Sequence, residues 1–185
     1  GTGKAYEIWQ DTKRLGGYYI NGEIAGVGYT NHNTAENKTE IWSGEWSWGA
    51  VFMLKRIGLE YIQKGNNPHG NELLKEANQM IHYMSQPVET DDDGVWKSGG
   101  LVQVDGSYIY ANDRFFIPWG WYSNPIGATS STGWAVYDTF EYNPFVLGGG
   151  ANSTFFEQQC QDNMPEPELF DKLAKHYGYI PVNNK

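Results

Sequence analysis

Basic residues are scarce in this sequence, and their scarcity excludes one large group of functions. The 185 residues contain 13 Lys and Arg against 22 Asp and Glu, which gives a net charge of −9 at pH 7. Binding to phosphate backbones requires clustered Lys and Arg, so neither nucleic acid nor an anionic membrane surface is an expected partner. A neutral ligand such as a glycan suits an acidic cleft better.

Cysteine, metal-binding patterns and long apolar runs are also missing or rare. Cys160 is the single cysteine, so no internal disulfide can form, and no run approaches the roughly 18 apolar residues of a membrane helix. The histidines show no zinc spacing, and no nucleophile elbow or phosphate-binding loop occurs. The acidic run 91–93 lacks the spacing of a calcium loop and is expected to be a solvated turn. We therefore expect no metal, no cofactor and no transmembrane helix.

Aromatic residues, by contrast, are abundant and concentrated. They make up 16% of the chain, with eight Trp and thirteen Tyr. The densest stretch, YANDRFFIPWGWYSNP at residues 110–125, fits neither a helical nor a strand period. Tyr and Trp combine a flat apolar face with a polar group, which suits wet binding surfaces. A core explains part of this stretch, and a binding cleft is our hypothesis for the rest.

Hydrophobic periodicity predicts one mainly α-helical domain over residues 1–185. Segments 16–39 and 86–129 are predicted as long loops, apart from a possible short hairpin around Asp105-Gly106. The second predicted helix is apolar on most sides and the third is amphipathic, so the two are expected to form a helical hairpin. The predicted helices cover residues 4–15, 45–64, 69–85, 131–141 and 167–177.

Two segments resemble parts of α/α-toroid glycosidases. TEIWSGEWSWGAVFMLKRIGLEYIQKG is similar to the start of an inner helix that bears Trp and Glu, and ANDRFFIPWGWYSNPIGATSSTGWAVYDTFEYNPFVLGG is similar to a closing segment. The resemblance covers roughly residues 39–148. It implies helical hairpins of the (α/α)6-toroid type with aromatic-rich loops. Because the chain supplies only part of such a ring, it implies the C-terminal part of a toroid, completed by an N-terminal segment or a second chain; the alternative is a smaller helical domain.

In toroid enzymes the cleft lies at the N-termini of the inner helices, and the resemblance therefore places Glu45 at the mouth of the cleft. Glycoside hydrolysis needs one carboxylic acid to protonate the leaving oxygen and one carboxylate to activate water or attack. Apolar neighbours raise the pKa of a carboxyl group, and Trp42, Trp46 and Trp48 surround Glu45 in the sequence. Glu45 is thus the candidate general acid. The alternative is a carboxylate that only favours the helix dipole.

Asp113, inside the aromatic stretch and next to Arg114, is the candidate second carboxylate. Arg114 would keep it ionised, as a general base requires, although the pair could equally hold the loop together. An inverting pair should lie about 6.5–9.5 Å apart. Glu40 and Asp138 are weaker candidates. The aromatic residues expected to stack on sugar rings, beside the tryptophans already named, are Trp119, Trp121 and Tyr122, and Arg114 is a further predicted substrate-binding residue.

Three functional hypotheses remain open on the sequence alone. The first is a glycoside hydrolase acting on an oligo- or polysaccharide, the second a non-catalytic glycan-binding module, and the third a structural domain that completes a larger helical ring. A polysaccharide lyase or epimerase is a further variant, because Tyr108, Tyr110 and Arg114 could supply its chemistry. The expected location is extracellular or periplasmic.

Overall fold

A computed structural model of the chain describes residues 1–29, 41–117, 120–142 and 144. The chain divides into two compact units, Gly1–Phe140 and Glu141–Lys185, and all the helices and strands described belong to the first. In chain order they are α1 (Thr2–Gly16), β1 (Gly17–Ile20), β2 (Glu23–Val27), α2 (Gly44–Gln63), α3 (Asn67–Met84), β3 (Val88–Thr90), β4 (Trp96–Gly99), β5 (Phe115–Ile117), β6 (Trp121–Ser123) and α4 (Thr129–Thr139).

The first four predicted helices are confirmed, and each end lies within two residues of its predicted position. Local signals fix these ends. The Ser43 hydroxyl accepts a hydrogen bond from the Trp46 amide at 3.3 Å and caps α2, while Gly65 follows the helix at a φ of 82° that favours glycine. Asn66 caps α3 in the same way. The predicted helix at 167–177 lies outside the described residues.

The two long predicted loops are wrong in part, because both contain antiparallel hairpins. In the segment 16–39, strands β1 and β2 pair through a two-residue turn, Asn21-Gly22, whose φ angles are 51° and 80°. Asn-Gly with positive φ at both positions is the preferred turn for a tight hairpin. In the segment 86–129, β3 pairs with β4 and β5 with β6, and the predicted hairpin around Asp105-Gly106 also forms. The described fold is therefore helical with small sheets.

The core lies between α2 and the elements that surround it. Helix α2 packs against α3, α4 and β2, and α1 closes the same core from the side. Helix α3 is amphipathic as predicted and buries Leu73, Ala77, Met80 and Met84, and Glu76 is also largely buried. It accepts a hydrogen bond from Trp9 Nε1 and forms an ion pair with Lys13, so it anchors α1 to α3.

Extended segments from distant parts of the chain lie side by side at the start of α2. The Ser43 amide donates to the Val27 carbonyl at 3.0 Å, and Ser43 also pairs with Ala111. Asn112 stabilises this contact through two hydrogen bonds to Trp42. Its side-chain oxygen accepts from the Trp42 backbone amide at 2.7 Å, and its backbone amide donates to the Trp42 carbonyl at 3.0 Å. The aromatic stretch is thereby fixed to the N-terminus of α2.

The same arrangement continues from the aromatic stretch to the start of α4. The Tyr110 amide donates to the Ile126 carbonyl at 2.9 Å, and the Ala128 amide donates to the Tyr108 carbonyl at 2.9 Å. Helix α4 begins directly after Ala128. The N-termini of α2 and α4 are consequently held on either side of residues 108–112.

Candidate functional site

A cleft of about 430 Å³ opens where α2 and α4 begin, and we call it the Glu45 cleft. This volume is within the range of about 300–1,000 Å³ that is usual for ligand pockets. Glu45 comes from the first turn of α2 and Ser130 from the first turn of α4, while strand β6 forms another wall. The cleft is lined by Glu45, Tyr110, Trp121, Tyr122, Asn124, Ile126, Gly127, Ala128 and Ser130.

Close contact at Gly44 brings the two helix N-termini together. A Cβ atom at this position would lie 2.6 Å from the Ile109 carbonyl oxygen and 2.9 Å from Ser131 Oγ, so only glycine fits without movement. Both helices direct their N-terminal ends, which carry partial positive charge, towards the cleft. A carboxylate at Glu45 is favoured at that position.

Glu45 and Tyr110 form the electrostatic centre of the cleft. Burial raises the pKa of the Tyr110 hydroxyl, and the Glu45 carboxylate raises it further through its charge and as a hydrogen-bond acceptor. The Trp121 side chain acts in the opposite direction, as a hydrogen-bond donor to the phenol oxygen. The phenol therefore stays protonated at neutral pH and presents a donor to the carboxylate.

Two half-exposed aromatic side chains form the outer part of the cleft. Trp121 is 46% exposed and Tyr122 is 41% exposed. The Arg114 guanidinium lies 3.6 Å from the centre of the Tyr122 ring, a cation–π contact that holds this ring in place. Strand β5 supports both residues through its pairing with β6. Apolar faces and polar groups therefore face the same space.

A second cluster of aromatic side chains lies behind the cleft and fixes Tyr110. Tyr29 stacks on Tyr110 with ring centres 5.9 Å apart, and Phe115 lies 6.3 Å from Tyr29. The edge of Trp46 packs on Tyr29 at 6.2 Å. Burial raises the pKa of the Tyr29 hydroxyl, while the hydroxyls of nearby serines partly oppose that shift. This cluster leaves little freedom for the Tyr110 ring.

Two of the tryptophans predicted to contact substrate are core residues instead. Trp42 is 0% exposed and stacks on Tyr18 with ring centres 4.9 Å apart. Trp48 is 2% exposed and meets Tyr108 edge to face at 5.5 Å. On a helix each residue turns by about 100°, so Trp46 and Trp48 point to different sides, and Trp48 is the one that faces the core. The prediction that Trp42 and Trp48 bind substrate is wrong, because both side chains are buried in the core.

Of the predicted site residues that the structure describes, Glu45, Trp121 and Tyr122 line the cleft and the others do not. Trp46 is 44% exposed beside Tyr29, outside the set that lines the cleft. Asp113 is also outside that set, and its carboxylate accepts from the Arg114 amide at 2.6 Å. Asp138 forms an ion pair with Lys55 at 2.5 Å. Trp119 and Glu40 lie outside the described residues.

Several residues of the cleft were not predicted as parts of one site. The sequence predicts Tyr110 only as a residue of a lyase or epimerase, and it predicts no site role for Asn124, Ile126 or Ser130. Ser130 lines the cleft because α4 begins there, beside the start of α2. The Asn124-Pro125 pair marks a turn after β6, which is a signal for a loop but not for a site.

No protein-family model, no curated protein and no solved structure matches this chain. In the described part of the chain, no helix has the length and apolar character needed to cross a membrane. Over the same residues, no group of three or more His, Cys, Asp and Glu side chains could hold a metal ion.

Proposed function

We propose that the Glu45 cleft binds a carbohydrate and is part of the active site of a glycoside hydrolase. One observation carries the proposal: a carboxylate, a protonated phenol and two half-exposed aromatic rings share a single cleft. Sugars present flat C–H faces and a rim of hydroxyl groups. Trp and Tyr cover such faces at a small entropic cost, and the polar groups fix the orientation of the ring.

The charge of the molecule supports a neutral ligand rather than an anionic one. The net charge is −9, and neither Lys nor Arg is among the described residues that line the cleft. An anionic substrate would meet the Glu45 carboxylate, whereas the Arg114 guanidinium lies against the Tyr122 ring and outside the lining set. A neutral glycan would instead donate hydroxyl hydrogen bonds to that carboxylate.

Glu45 stays our prediction for the general acid; its carboxylate must take up a proton before it can protonate the oxygen of the leaving sugar. Hydrolysis also needs a second carboxylate, and Asp113 stays our prediction for it, although it is not among the residues that line the cleft. In this proposal Trp46, Trp121 and Tyr122 contact sugar rings, and Arg114 positions Tyr122. Trp119 stays a prediction as a further contact.

The geometry of the helices supports the proposal of an α/α toroid. In such a ring the inner helices lie side by side with their N-termini at one opening, and α2 and α4 pack together and both begin at the cleft. We propose that an N-terminal segment or a second chain supplies the remaining hairpins. Native mass spectrometry with a denatured control tests this: a partner polypeptide or a copy in the native assembly is the expected result, and a stable monomer of 20.9 kDa contradicts completion by a second chain.

A non-catalytic glycan-binding module is the second candidate. The position of Asp113 outside the cleft lining favours it, because binding needs no second carboxylate. A lyase with a Tyr110 phenolate as base is less well supported. Burial and the Glu45 charge both raise the pKa of Tyr110, which opposes formation of that base at neutral pH.

The experiment compares binding and turnover in the same variants. Wild type, Trp121→Ala and Glu45→Gln are titrated calorimetrically with neutral oligosaccharides, and released reducing ends are measured separately. Trp121→Ala should weaken binding about tenfold or more, since buried aromatic contacts dominate such interfaces. Glu45→Gln should retain binding but reduce turnover by about 100-fold or more, which is the usual contribution of a general acid.

Phe140→Ala provides the matched control. Phe140 is an exposed aromatic residue at the other end of α4, and its loss should leave binding and turnover unchanged. Binding without turnover in wild type would select the non-catalytic module. Absence of binding to every oligosaccharide would overturn both candidates and favour a structural domain.

A further inference from the structure

A second cavity lies next to the Glu45 cleft and shares a wall with it. This groove has a volume of about 630 Å³, and Gly127 and Ala128 line both cavities. We propose that the groove is a second sugar-binding subsite, so that one oligosaccharide spans both cavities across Gly127-Ala128. The inference rests on the proposed carbohydrate specificity of the cleft. The groove, which we call the Asp105 groove, is lined by Gln103, Asp105, Ser107, Gly127, Ala128, Thr129, Thr132, Gly133, Val136 and Tyr137.

The wall between the cavities is rigid and carries no large side chain. Hydrogen bonds from the Tyr110 amide to Ile126 and from the Ala128 amide to Tyr108 hold its backbone at both ends. A Cβ atom on Gly127 would lie 2.5 Å from Ser107 Oγ and 2.8 Å from Gln103 Oε1. A side chain at position 127 would therefore displace Ser107 and Gln103, and glycine leaves both in place between the two cavities.

The polar side chains of the groove are arranged to receive hydroxyl groups. The Asp105 carboxylate accepts hydrogen bonds from the Ser107 amide at 2.9 Å and from Ser107 Oγ at 2.7 Å. These bonds lower the pKa of Asp105, so the group is a fixed anionic acceptor at neutral pH. Ser107 Oγ also lies 3.1 Å from Gln103 Oε1, so its single proton has two acceptors within reach.

An apolar face completes the groove. Val136 and Tyr137, on consecutive positions of α4, are 46% and 40% exposed. The groove combines this apolar face with the Asp105 carboxylate, as the Glu45 cleft combines Trp121 and Tyr122 with Glu45. No Lys or Arg is among the described residues that line the groove, so a neutral ligand suits it as it suits the cleft.

The test measures how affinity depends on the length of the ligand. The full chain is titrated calorimetrically with β-1,4-linked gluco-, manno- and xylo-oligosaccharides and β-1,3-linked gluco-oligosaccharides of increasing length. If one ligand spans both cavities, affinity should rise about tenfold or more between the short and the long members of the series that binds. One hydrogen bond to a charged group and an aromatic contact account for that gain.

Variants of the Asp105 groove test whether the gain in affinity for long oligosaccharides comes from contacts in that groove. Asp105→Asn removes the charge of an exposed side chain, and Tyr137→Ala removes the apolar face. Each should lower affinity for long oligosaccharides about tenfold and leave affinity for short ones unchanged. Val104→Ala is the matched control, because Val104 is fully exposed on the same turn and does not line the groove. Circular dichroism confirms folding, and Asp105→Asn keeps the test valid if Tyr137→Ala is unstable.

The outcomes separate this inference from the function on which it rests. If Asp105→Asn and Tyr137→Ala bind long oligosaccharides as wild type does, while Trp121→Ala weakens all lengths, the second subsite is rejected and the Glu45 cleft stands. If wild-type affinity does not change with length, the same conclusion follows. If wild type binds no oligosaccharide, both proposals fail together.

Discussion

Among single side chains, the contact between Glu45 and Tyr110 can be tested without knowing any ligand. The negative charge of Glu45 contributes to the raised pKa of Tyr110. Glu45→Gln removes that charge, so the pKa of Tyr110 should fall towards the ordinary value of about 10. Titration of the Tyr110 ring followed by NMR measures this. An unchanged Tyr110 titration in the variant would mean that the two groups do not interact, and the cleft would lose its electrostatic centre.

Gly26 is a second position where a single added carbon atom should change the stability of the fold. A Cβ atom here would overlap the Trp42 indole nitrogen and Ser47 Oγ, both of which are buried. Gly26→Ala should therefore lower the free energy of unfolding by about 1–3 kcal/mol, the usual cost of overpacking. Urea denaturation measures the loss. Gly22→Ala is not a suitable comparison because of its positive φ, whereas Gly49→Ala, at an open position in α2, should be neutral or slightly stabilising.

Among the secondary-structure elements, α1 depends on an ion pair with α3. Lys13 and Glu76 have side chains only 13% and 14% exposed, and their charged atoms lie 2.5 Å apart. Removing one partner leaves the other charge largely buried, so Glu76→Gln should destabilise the fold by about 3 kcal/mol. Chemical denaturation followed by circular dichroism measures this change.

The exposed pair of Lys4 and Glu7 on the same helix is the control. Both side chains are more than two-thirds exposed, and solvent screens their attraction. Glu7→Gln should therefore cost less than about 0.5 kcal/mol. If Glu76→Gln and Glu7→Gln lowered the free energy of unfolding equally, burial would not be what makes the ion pair of Lys13 and Glu76 stabilising.

The helices and the strands differ in how well the sequence predicts them. Helices α2 and α3 span five turns each, so their apolar periodicity and caps define them well. Strands β3 to β6 have three or four residues, which is too short for a period of two to stand out. The Asn21-Gly22 turn was an available signal for β1 and β2, and the predicted long loop overlooked it.

The candidate site was predicted less completely than the helices. Glu45, Trp121 and Tyr122 were identified from their residue types and are brought together in the cleft. Trp42 and Trp46 could not be distinguished in the sequence, because the exposure of each depends on which distant segment covers it. Tyr18 covers Trp42, and this contact follows from the β1–β2 hairpin that the prediction lacked.

Across the whole chain, stability at alkaline pH should depend on Tyr6. Burial, the hydrogen bond to Glu72 and the charges of Glu72 and Glu76 raise the pKa of Tyr6 to about 12. Because the pKa in the folded state is higher than the unfolded value near 10, the stabilisation is complete below about pH 10 and is lost as pH rises towards 12. Tyr6→Phe should therefore show a flatter loss of stability between pH 9 and 11, as measured by urea unfolding midpoints. A slope equal to that of wild type would rule out this role.

The pairing of Trp42 with Asn112 joins residues 70 positions apart, and this separation has a consequence for the order of folding. The α2–α3 hairpin contains only local contacts and should form early, whereas distant pairing must first overcome the entropy of loop closure. The Glu45 cleft can exist only after residues 108–112 have docked on the start of α2 and residues 121–128 have paired with them and with β5. In the folded protein, brief release of that segment should abolish the cleft while the helical hairpin persists. A bound ligand should accordingly slow amide hydrogen exchange at Tyr110 and Ala128 more than at the centre of α3.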